Sequence, residues 1–332
     1  MLSQKERIMK KVFIDGSAGT TGLRIYDRLA RRDDIKLITI SEQDRKDISR
    51  RKEAISSCDI AFLCLPDDAA REVVEAVESD TVIIDTSTAH RTDERFAYGF
   101  AELSDDHRDR IATSKYIAVP GCHASGFIAL VYPLIEAGIV STGTLLTCFS
   151  LTGYSGGGKQ MIARYEAEDR SELLGTPRQY ALTQNHKHLA EMCAVTGLSS
   201  LPIFTHIVSD FYSGMQVCVP IFKSQLSQGK CVEDIKDAYR RKYTGLIVKF
   251  IEDIGDVSTD GFVATGLYAG LDGMGIAVTG CDERILLVAL YDNLGKGASG
   301  AAIQCMNIVM GTDETAGLAL VDDLRFNNCK QE

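Results

Sequence analysis

Ten cysteines occur in this 332-residue chain, at positions 58, 64, 122, 148, 193, 218, 231, 281, 305 and 329, and one of them stands where a thiol can do chemistry. Cys122 lies in Val119-Pro120-Gly121-Cys122-His123-Ala124-Ser125-Gly126. A short apolar run, Tyr116 to Val119, precedes it, and an apolar stretch of helical spacing follows, Ala124 to Ala137, ended by Gly138. A thiol at a helix start faces unpaired amides and the positive end of the dipole, which favour thiolate over thiol and lower its pKa. At the C-terminal end of a parallel strand it also stands where open α/β sheets present their ligands. Most of the others, several in apolar runs such as Ile60-Ala-Phe-Leu-Cys64-Leu65, read as small buried hydrophobes. No CxxC pair occurs, so neither a disulfide framework nor a zinc ribbon is expected, as suits a reducing compartment.

A nucleophilic thiol needs a partner that takes and returns a proton. The segment Asn185-His186-Lys187-His188-Leu189-Ala190-Glu191 supplies His186 and His188 at the head of another helical stretch, and the spacing leaves open which of them serves. Two histidines two apart can also bind metal, but no third ligand stands at a recognisable spacing, so no metal is expected. His90, His107 and His206 read as ordinary polar or surface histidines, and His123 as a structural neighbour of the thiol.

These groups require a scaffold, and its first elements are legible. The apolar run Lys11 to Ile14 leads into Gly16, Gly19 and Gly22, a GxxGxxG spacing, and then into apolar residues of helical period from Leu23 to Ala30. Glycines between a strand and a helix let backbone amides approach a pyrophosphate at the helix start. Gly16, Ala18, Gly19, Thr20, Thr21 and Gly22 are therefore candidate contacts for a dinucleotide. Strands are expected at 36–40, 60–65 and 81–85, with a helix at 69–77 between the last two. Strands alternating with helices imply a parallel sheet with right-handed crossovers. At the end of the second strand Ser41 and Arg45 suit a 2′-phosphate, which favours NADP, while Glu42 keeps NAD open.

Beyond Thr144 the pattern changes. Runs at 145–151, 215–222, 248–251 and 285–291 read as longer strands with few helices between them, as in a mixed or antiparallel sheet. A last helix, 298–310, follows a glycine-rich turn. The fold class is thus α/β: a Rossmann-type nucleotide domain with a parallel sheet, formed by 1–121 and 294–332, plus an α+β catalytic and dimerisation domain with a mixed sheet, 122–293.

The composition is that of a globular chain with room for two cores, 45% hydrophobic and 25% charged. Its formal net charge of -10 argues against nucleic acid, which is held by clustered Lys and Arg. No uncharged run approaches the roughly 20 residues that span a bilayer, so no membrane partner and a cytoplasmic location are expected.

In their order, several segments resemble the N-acetyl-gamma-glutamyl-phosphate reductases of arginine biosynthesis, in their shorter second form. They are the Gly16 to Gly22 loop, Cys64-Leu-Pro66-Asp-Asp-Ala69, Asp85-Thr-Ser87-Thr-Ala-His-Arg91, Tyr98-Gly-Phe-Ala-Glu102, Pro120-Gly-Cys122, Thr152-Gly-Tyr-Ser155-Gly-Gly157-Gly-Lys159, His186-Lys-His188-Leu-Ala-Glu191 and Asp292-Asn-Leu-Gly-Lys296-Gly297-Ala-Ser-Gly300. The chain departs from the family in having Val119 before Pro-Gly-Cys and His123 after it. The resemblance implies that Cys122 is the nucleophile and that the His-x-His-x-x-Glu segment supplies the acid/base histidine. Pro66, Ser87 and Gly297 then join the NADP contacts. The substrate is expected to be an acyl phosphate whose charges need cations: Arg91 and Lys159, with Ser155 and the amides of Gly156 to Gly158 as an anion cradle. Arg164 is also considered, though its charged surroundings read as an exposed helix face, and Arg91 also fits a purely structural role. A homodimer or homotetramer is implied. Two other readings are an aspartate-semialdehyde dehydrogenase, with the same chemistry on another acyl group, and a Rossmann protein that senses NADP without catalysis.

Overall fold

The computed structural model describes residues 9–41 and 43–320. Glu42, Cys329 and the ends of the expected nucleotide domain, 1–8 and 321–332, lie outside the described residues.

The first half alternates as its periodicity demands: β1 (Lys10–Asp15), α1 (Thr20–Leu29), β2 (Ile35–Ile38), α2 (Ile48–Ser56), β3 (Ile60–Leu63), α3 (Asp67–Ala76), β4 (Val82–Asp85), β5 (Ala97–Tyr98), α4 (Asp105–Thr113) and β6 (Tyr116–Ala118). The strands form one parallel sheet in the order β2-β1-β3-β4-β6-β5. All four residues of β3 are buried, as expected of a central strand covered on both faces. On α1 the buried residues Gly22, Ile25 and Leu29 recur at helical spacing and set that helix against the sheet. The N-caps follow side-chain chemistry: Asp47 accepts from the amides of Ser49 and Arg50 at the start of α2, and Ser104 accepts from His107 at the start of α4.

The second half contains α5 (Cys122–Glu136), β7 (Thr147–Gly153), α6 (Gly158–Glu166), β8 (Arg178–Tyr180), α7 (His188–Thr196), β9 (Ile203–Ser209), β10 (Met215–Phe222), α8 (Val232–Lys242), β11 (Val248–Ile251), β12 (Met274–Cys281) and β13 (Arg284–Tyr291). Its mixed sheet has the order β11-β12-β13-β10-β7-β9-β8. On β10 every second residue from Met215 to Ile221 is buried, and that face packs on α5. Helix α5 is buried nearly all round and contains Pro133 in its last turns. Proline cannot donate to the Ala129 carbonyl four residues back, and that carbonyl accepts instead from the Tyr243 hydroxyl at 2.6 Å.

A π-helical turn, Gly295–Ser299, connects β13 to α9 (Gly300–Val309). Ala301, Ala302, Ile303, Cys305 and Met306 of α9 share a core with Val12, Phe62 and Ile117 of the first sheet and Ile25 of α1. The mixed sheet is richer than the sequence suggests, because β8, β9 and β12 join it and α6, α7 and α8 interrupt it. Strand β2 ends at Ile38, two residues earlier than expected. Among the described residues no helix is long and apolar enough to cross a membrane.

Candidate active site

The thiol's position follows from the residue before it. Gly121 is the extended N-cap of α5 (φ -71°, ψ 143°), which makes Cys122 its first helical residue. A Cβ at Gly121 would lie 2.4 Å from both Arg91 Nη1 and His188 Nε2, so only glycine lets these groups close on the cysteine's own peptide. The Gly121 amide donates to Glu191 Oε1 at 2.7 Å, and the Tyr98 hydroxyl donates to the same oxygen at 2.8 Å. Glu191 Oε2 accepts from Arg91 Nη1 at 3.3 Å. Arg91 is held further by Val119 O at 2.9 Å and Thr86 O at 3.1 Å, which leaves part of its five-donor fork for a ligand. His188 and Glu191, three apart at the start of α7, share one helix face.

The imidazoles divide by their partners. His186 Nδ1 accepts from the His188 amide at 3.2 Å, which commits that lone pair and puts the neutral ring's proton on Nε2. His188 Nδ1 is buried with no protein partner, and its Nε2 edge abuts Gly121. Burial first, then the Arg91 charge and neighbouring imidazoles, hold His188 well below the usual histidine range. His186 is brought down to about 4 by burial, Lys187 and Arg91. His123 matches its structural expectation, with Ser150 Oγ at 2.6 Å from Nδ1 and Tyr180 OH at 2.7 Å from Nε2.

Of the histidines read as ordinary polar or surface residues, two are buried. His206 is fully buried, its ring centroid 4.2 Å from that of His186, and neither nitrogen has a partner. His90 is buried with Nδ1 2.7 Å from Asp85 Oδ2 and stacks on Phe96. Alternation placed His206 on the covered face of β9, and the last residue of β4 drew His90 inward.

The thiol also departs from expectation. Burial pushes Cys122 above the ordinary cysteine value, although Arg91, the His123 amide and Lys187 all pull the other way. The helix start therefore lowers the pKa as argued, but desolvation is the larger effect in this enclosed position.

A cavity of about 350 Å³ joins these groups. Its lining includes Cys122, Arg91, His186 and His188, with Ser155 and Gly156 to Gly158, Thr20 and Thr21, and Leu294, Gly297 and Ala298. Ser155 Oγ accepts from Asn293 Nδ2 at 3.0 Å. Lys159 is exposed on the first turn of α6 and Arg164 exposed further along, both outside the cavity lining.

A second cavity, about 390 Å³, lies on the other side of the glycine loop between Gly16, Ala18, Leu23, Tyr26, Ile40 and Arg45. The three glycines of that loop have different reasons. Gly16 has φ +85° and a Cβ would meet Cys64 O at 2.2 Å, and a Cβ on Gly22 would meet Gly16 O at 2.5 Å. Gly19 meets only Gly16 O at 3.4 Å and Cys64 O at 4.0 Å, so its lack of a side chain leaves open space beside the start of α1. With the partnerless, buried Thr20 hydroxyl, that open cradle fits a dinucleotide phosphate.

The remaining expected cofactor contacts are placed less directly. Ser41 is exposed, its hydroxyl donating to Asp44 Oδ2 at 2.7 Å. Pro66 is the exposed N-cap of α3. The Ser87 hydroxyl donates to Asp85 Oδ2 at 2.7 Å, and its neighbour Thr86 lines the reaction cavity instead. Sequence reasoning passed over Lys187, Tyr180, Asn293 and the anchoring role of Glu191. The signal for Glu191 was its three-residue spacing from His188; Tyr180 had none, since β8 brings it in from a distant segment, and Asn293 stood in the Asp292 to Gly300 segment without a role.

A parallel nucleotide sheet, a mixed sheet and a thiol at the helix start between them define a semialdehyde-dehydrogenase type of protein. Family models described as "Semialdehyde dehydrogenase, NAD binding domain" and "Semialdehyde dehydrogenase, dimerisation domain" match residues 11–111 and 122–293. Solved aspartate semialdehyde dehydrogenases share the fold at low identity. That from Francisella tularensis has a TM-score of 0.68 at 14% identity, covering 91% of this chain and 100% of its own. The one from Vibrio cholerae has 0.67 at 16%, covering 91% and 98%. Curated relatives are far nearer in sequence. N-acetyl-gamma-glutamyl-phosphate reductase 2 of Nostoc sp. is 42% identical over 93% of this chain and 99% of its own. N-acetyl-gamma-glutamyl-phosphate reductase of Brucella ovis is 42% identical over 91% and 99%. The chain belongs to the N-acetyl-gamma-glutamyl-phosphate reductase family.

Proposed function

We propose that this chain reduces N-acetyl-L-glutamyl 5-phosphate to N-acetyl-L-glutamate 5-semialdehyde with NADPH, through a thioester on Cys122. The observation that carries this reading is the closure of Arg91 and His188 on the peptide of a thiol at a helix start, inside a cavity that reaches the dinucleotide loop. The alternative of aspartate semialdehyde is disfavoured, because the aspartate semialdehyde dehydrogenases share only the fold at 14–17% identity.

Cys122 Sγ attacks the acyl carbonyl, the carbon–oxygen bond to phosphate breaks, and phosphate leaves. His188, rather than His186, takes the thiol proton, because His186 Nδ1 is already committed to the His188 amide. Anionic substrate groups offset the Arg91 and Lys187 charges that help hold the His188 pKa low, which makes its ring a better base as the substrate seats. NADPH, when bound, supplies the hydride that reduces the thioester. Amides at the start of α5 hold the resulting oxyanion, whose collapse breaks the carbon–sulfur bond and frees the aldehyde. The phosphate and carboxylate are received by the free part of the Arg91 fork, by Lys187, and by Ser155 with the amides of Gly156 to Gly158; exposed Lys159 adds charge at the same helix start. Gly16, Ala18, Gly19, Thr20, Thr21, Gly22 and Gly297 hold the cofactor, with Arg45 on its 2′-phosphate side; Ser41, Pro66 and Ser87 border that path.

The nucleotide domain is assigned to 1–121 with 294–332, and the catalytic domain to 122–293. A homodimer or homotetramer is supported by the exposed apolar side chains Phe149, Ile203 and Phe222 on the outer face of the mixed sheet. A cytoplasmic location is supported by the nine described cysteines, all free.

The deciding experiment runs the reaction in reverse, following NADPH formation from N-acetylglutamate semialdehyde and phosphate, with aspartate semialdehyde as the competitor. A phosphate-dependent signal with the acetylated aldehyde supports the assignment. Preference for aspartate semialdehyde would overturn the substrate, and silence with both would overturn the catalysis in favour of an NADP sensor.

A further inference from the structure

Part of the lining of the reaction cavity comes from the glycine-rich turn after β13. Leu294, Gly297 and Ala298 form that part, within or next to the π-helical turn Gly295–Ser299. A Cβ built on Gly297 would lie 3.1 Å from Cys122 Cβ, so this turn rests against the nucleophile itself. A Cβ on Gly295 would meet Leu271 O at 1.9 Å and one on Gly300 Asp272 Oδ1 at 2.5 Å. The glycines allow this close packing but have no side chain with which to enforce it.

The residue that can enforce it is Lys296, which lies between two of these glycines and is 1% exposed. Its ammonium donates to Glu102 Oε1 at 2.9 Å, Glu102 Oε2 at 2.8 Å and Gln304 Oε1 at 2.6 Å, and stands 4.6 Å from the Phe100 ring centroid. All three donors have acceptors. Gln304 in turn donates to Glu102 Oε1 at 2.9 Å and to Glu314 Oε2 at 3.2 Å. One side of the turn is thereby fixed to the segment after β5 and to α9, while the other side meets Cys122. A buried ion pair gives little stability that packed apolar side chains would not, and its attested use is to fix one arrangement among several. π-helical turns also recur at functional sites, since the extra residue re-aims the backbone.

We propose that the Lys296–Glu102 pair is a positioning device for the reaction. It sets the register of the π-helical turn and so holds Gly297 against Cys122, fixing the wall between the thioester carbon and the cofactor side of the cavity. This rests on the reading of Cys122 as the nucleophile. Neither residue touches the reacting atoms.

The test compares Glu102→Gln, Lys296→Met and the double variant Lys296→Met/Glu102→Met with the unsubstituted protein. Thermal midpoint, kcat and KM in the reverse assay, and the rate of Cys122 alkylation by iodoacetamide are all measured. Glu102→Gln keeps the shape of the side chain and serves if Lys296→Met fails to fold. The expected result is a kcat at least tenfold lower with KM within about twofold, and alkylation several-fold faster as Gly297 leaves the sulfur. The double variant is expected to regain the thermal midpoint but not kcat. If it regains wild-type kcat and alkylation along with stability, or if the single variants change only the midpoint, the pair is structural and the proposal fails. Alkylation needs no substrate, so an error in the proposed substrate would silence the wild-type assay yet leave this comparison readable.

Discussion

The amide of Gly121 and the Glu191 carboxylate meet at 2.7 Å, which ties the helix start that carries Cys122 to the helix that carries His188. The proposed nucleophile and its proposed proton partner thus have one shared anchor, although 66 positions separate Cys122 from His188 in sequence. Glu191 also pairs with Arg91, whose guanidinium reaches that peptide, so one carboxylate positions the cation as well.

Glu191→Gln retains the shape but loses the charge that holds Arg91. Turnover should fall on the order of 10²-fold, the cost of misplacing reacting groups by about an ångström. Glu191→Ala should in addition destabilise by about 3–5 kcal/mol, since it leaves the Arg91 guanidinium with its two carbonyl partners but no counter-ion. Steady-state kinetics and urea unfolding of both variants separate the two effects; a Gln variant with wild-type kcat would remove Glu191 from the site's function.

How far the sequence reached depends on how local each feature is. The glycine loop, Cys122 at a helix start and the His186–Glu191 segment each occupy one short window, where strand, turn and helix periods are visible. Glu191 was quoted in that window, yet its role needed Gly121, 70 positions away, to be seen. Strand β9 was missed because Ile203 to Ser209 mixes apolar residues with Thr205 and His206, whose burial is decided by β7 and β8 on either side. The thiol's pKa was misjudged for a related reason: the helix dipole is read from sequence, but desolvation depends on the closed cavity around it.

Cys122 should be a slow nucleophile in the free protein. Its pKa lies above the ordinary value, so the thiol is protonated at neutral pH and alkylation by iodoacetamide should accelerate as pH rises through that value. Lys187→Met removes one of the charges that pulls the pKa down, on an exposed side chain, and should slow alkylation at pH 7 further. Mass-resolved alkylation from pH 6 to 10 checks both. Cys122→Ser should abolish turnover and retain NADPH binding, and a variant that still turns over would remove the thioester.

Gly16 and Gly19 should respond in opposite ways. Gly16→Ala places a side chain at φ +85° and against Cys64 O, so it should cost on the order of 1–3 kcal/mol in stability. Gly19→Val meets no such contact and should fold with a near-normal thermal midpoint, yet raise the KM for NADPH at least about tenfold by filling the open phosphate cradle. Thermal melts beside NADPH titrations distinguish them; a destabilised Gly19 variant with unchanged NADPH affinity would refute the cradle.

His206 makes the protein sensitive to acid. Burial first, then neighbouring His186, bring it down to about 4 from an unfolded value of 6.5, so between these limits the unfolded chain binds a proton that the folded chain does not. Stability from its neutral form is complete above about pH 6.5 and is lost as pH falls toward 4, by on the order of 2 kcal/mol at pH 5. Both ring nitrogens are buried without partners, so His206→Leu also relieves an unsatisfied group and should stabilise by about 1 kcal/mol at pH 7. Urea unfolding at pH 7 and pH 5 should then show a smaller acid loss in the variant than in the wild type. An equal loss in both would mean that His206 does not titrate in this window, and the acid response would fall to His188, His186 and His123, which burial also holds low.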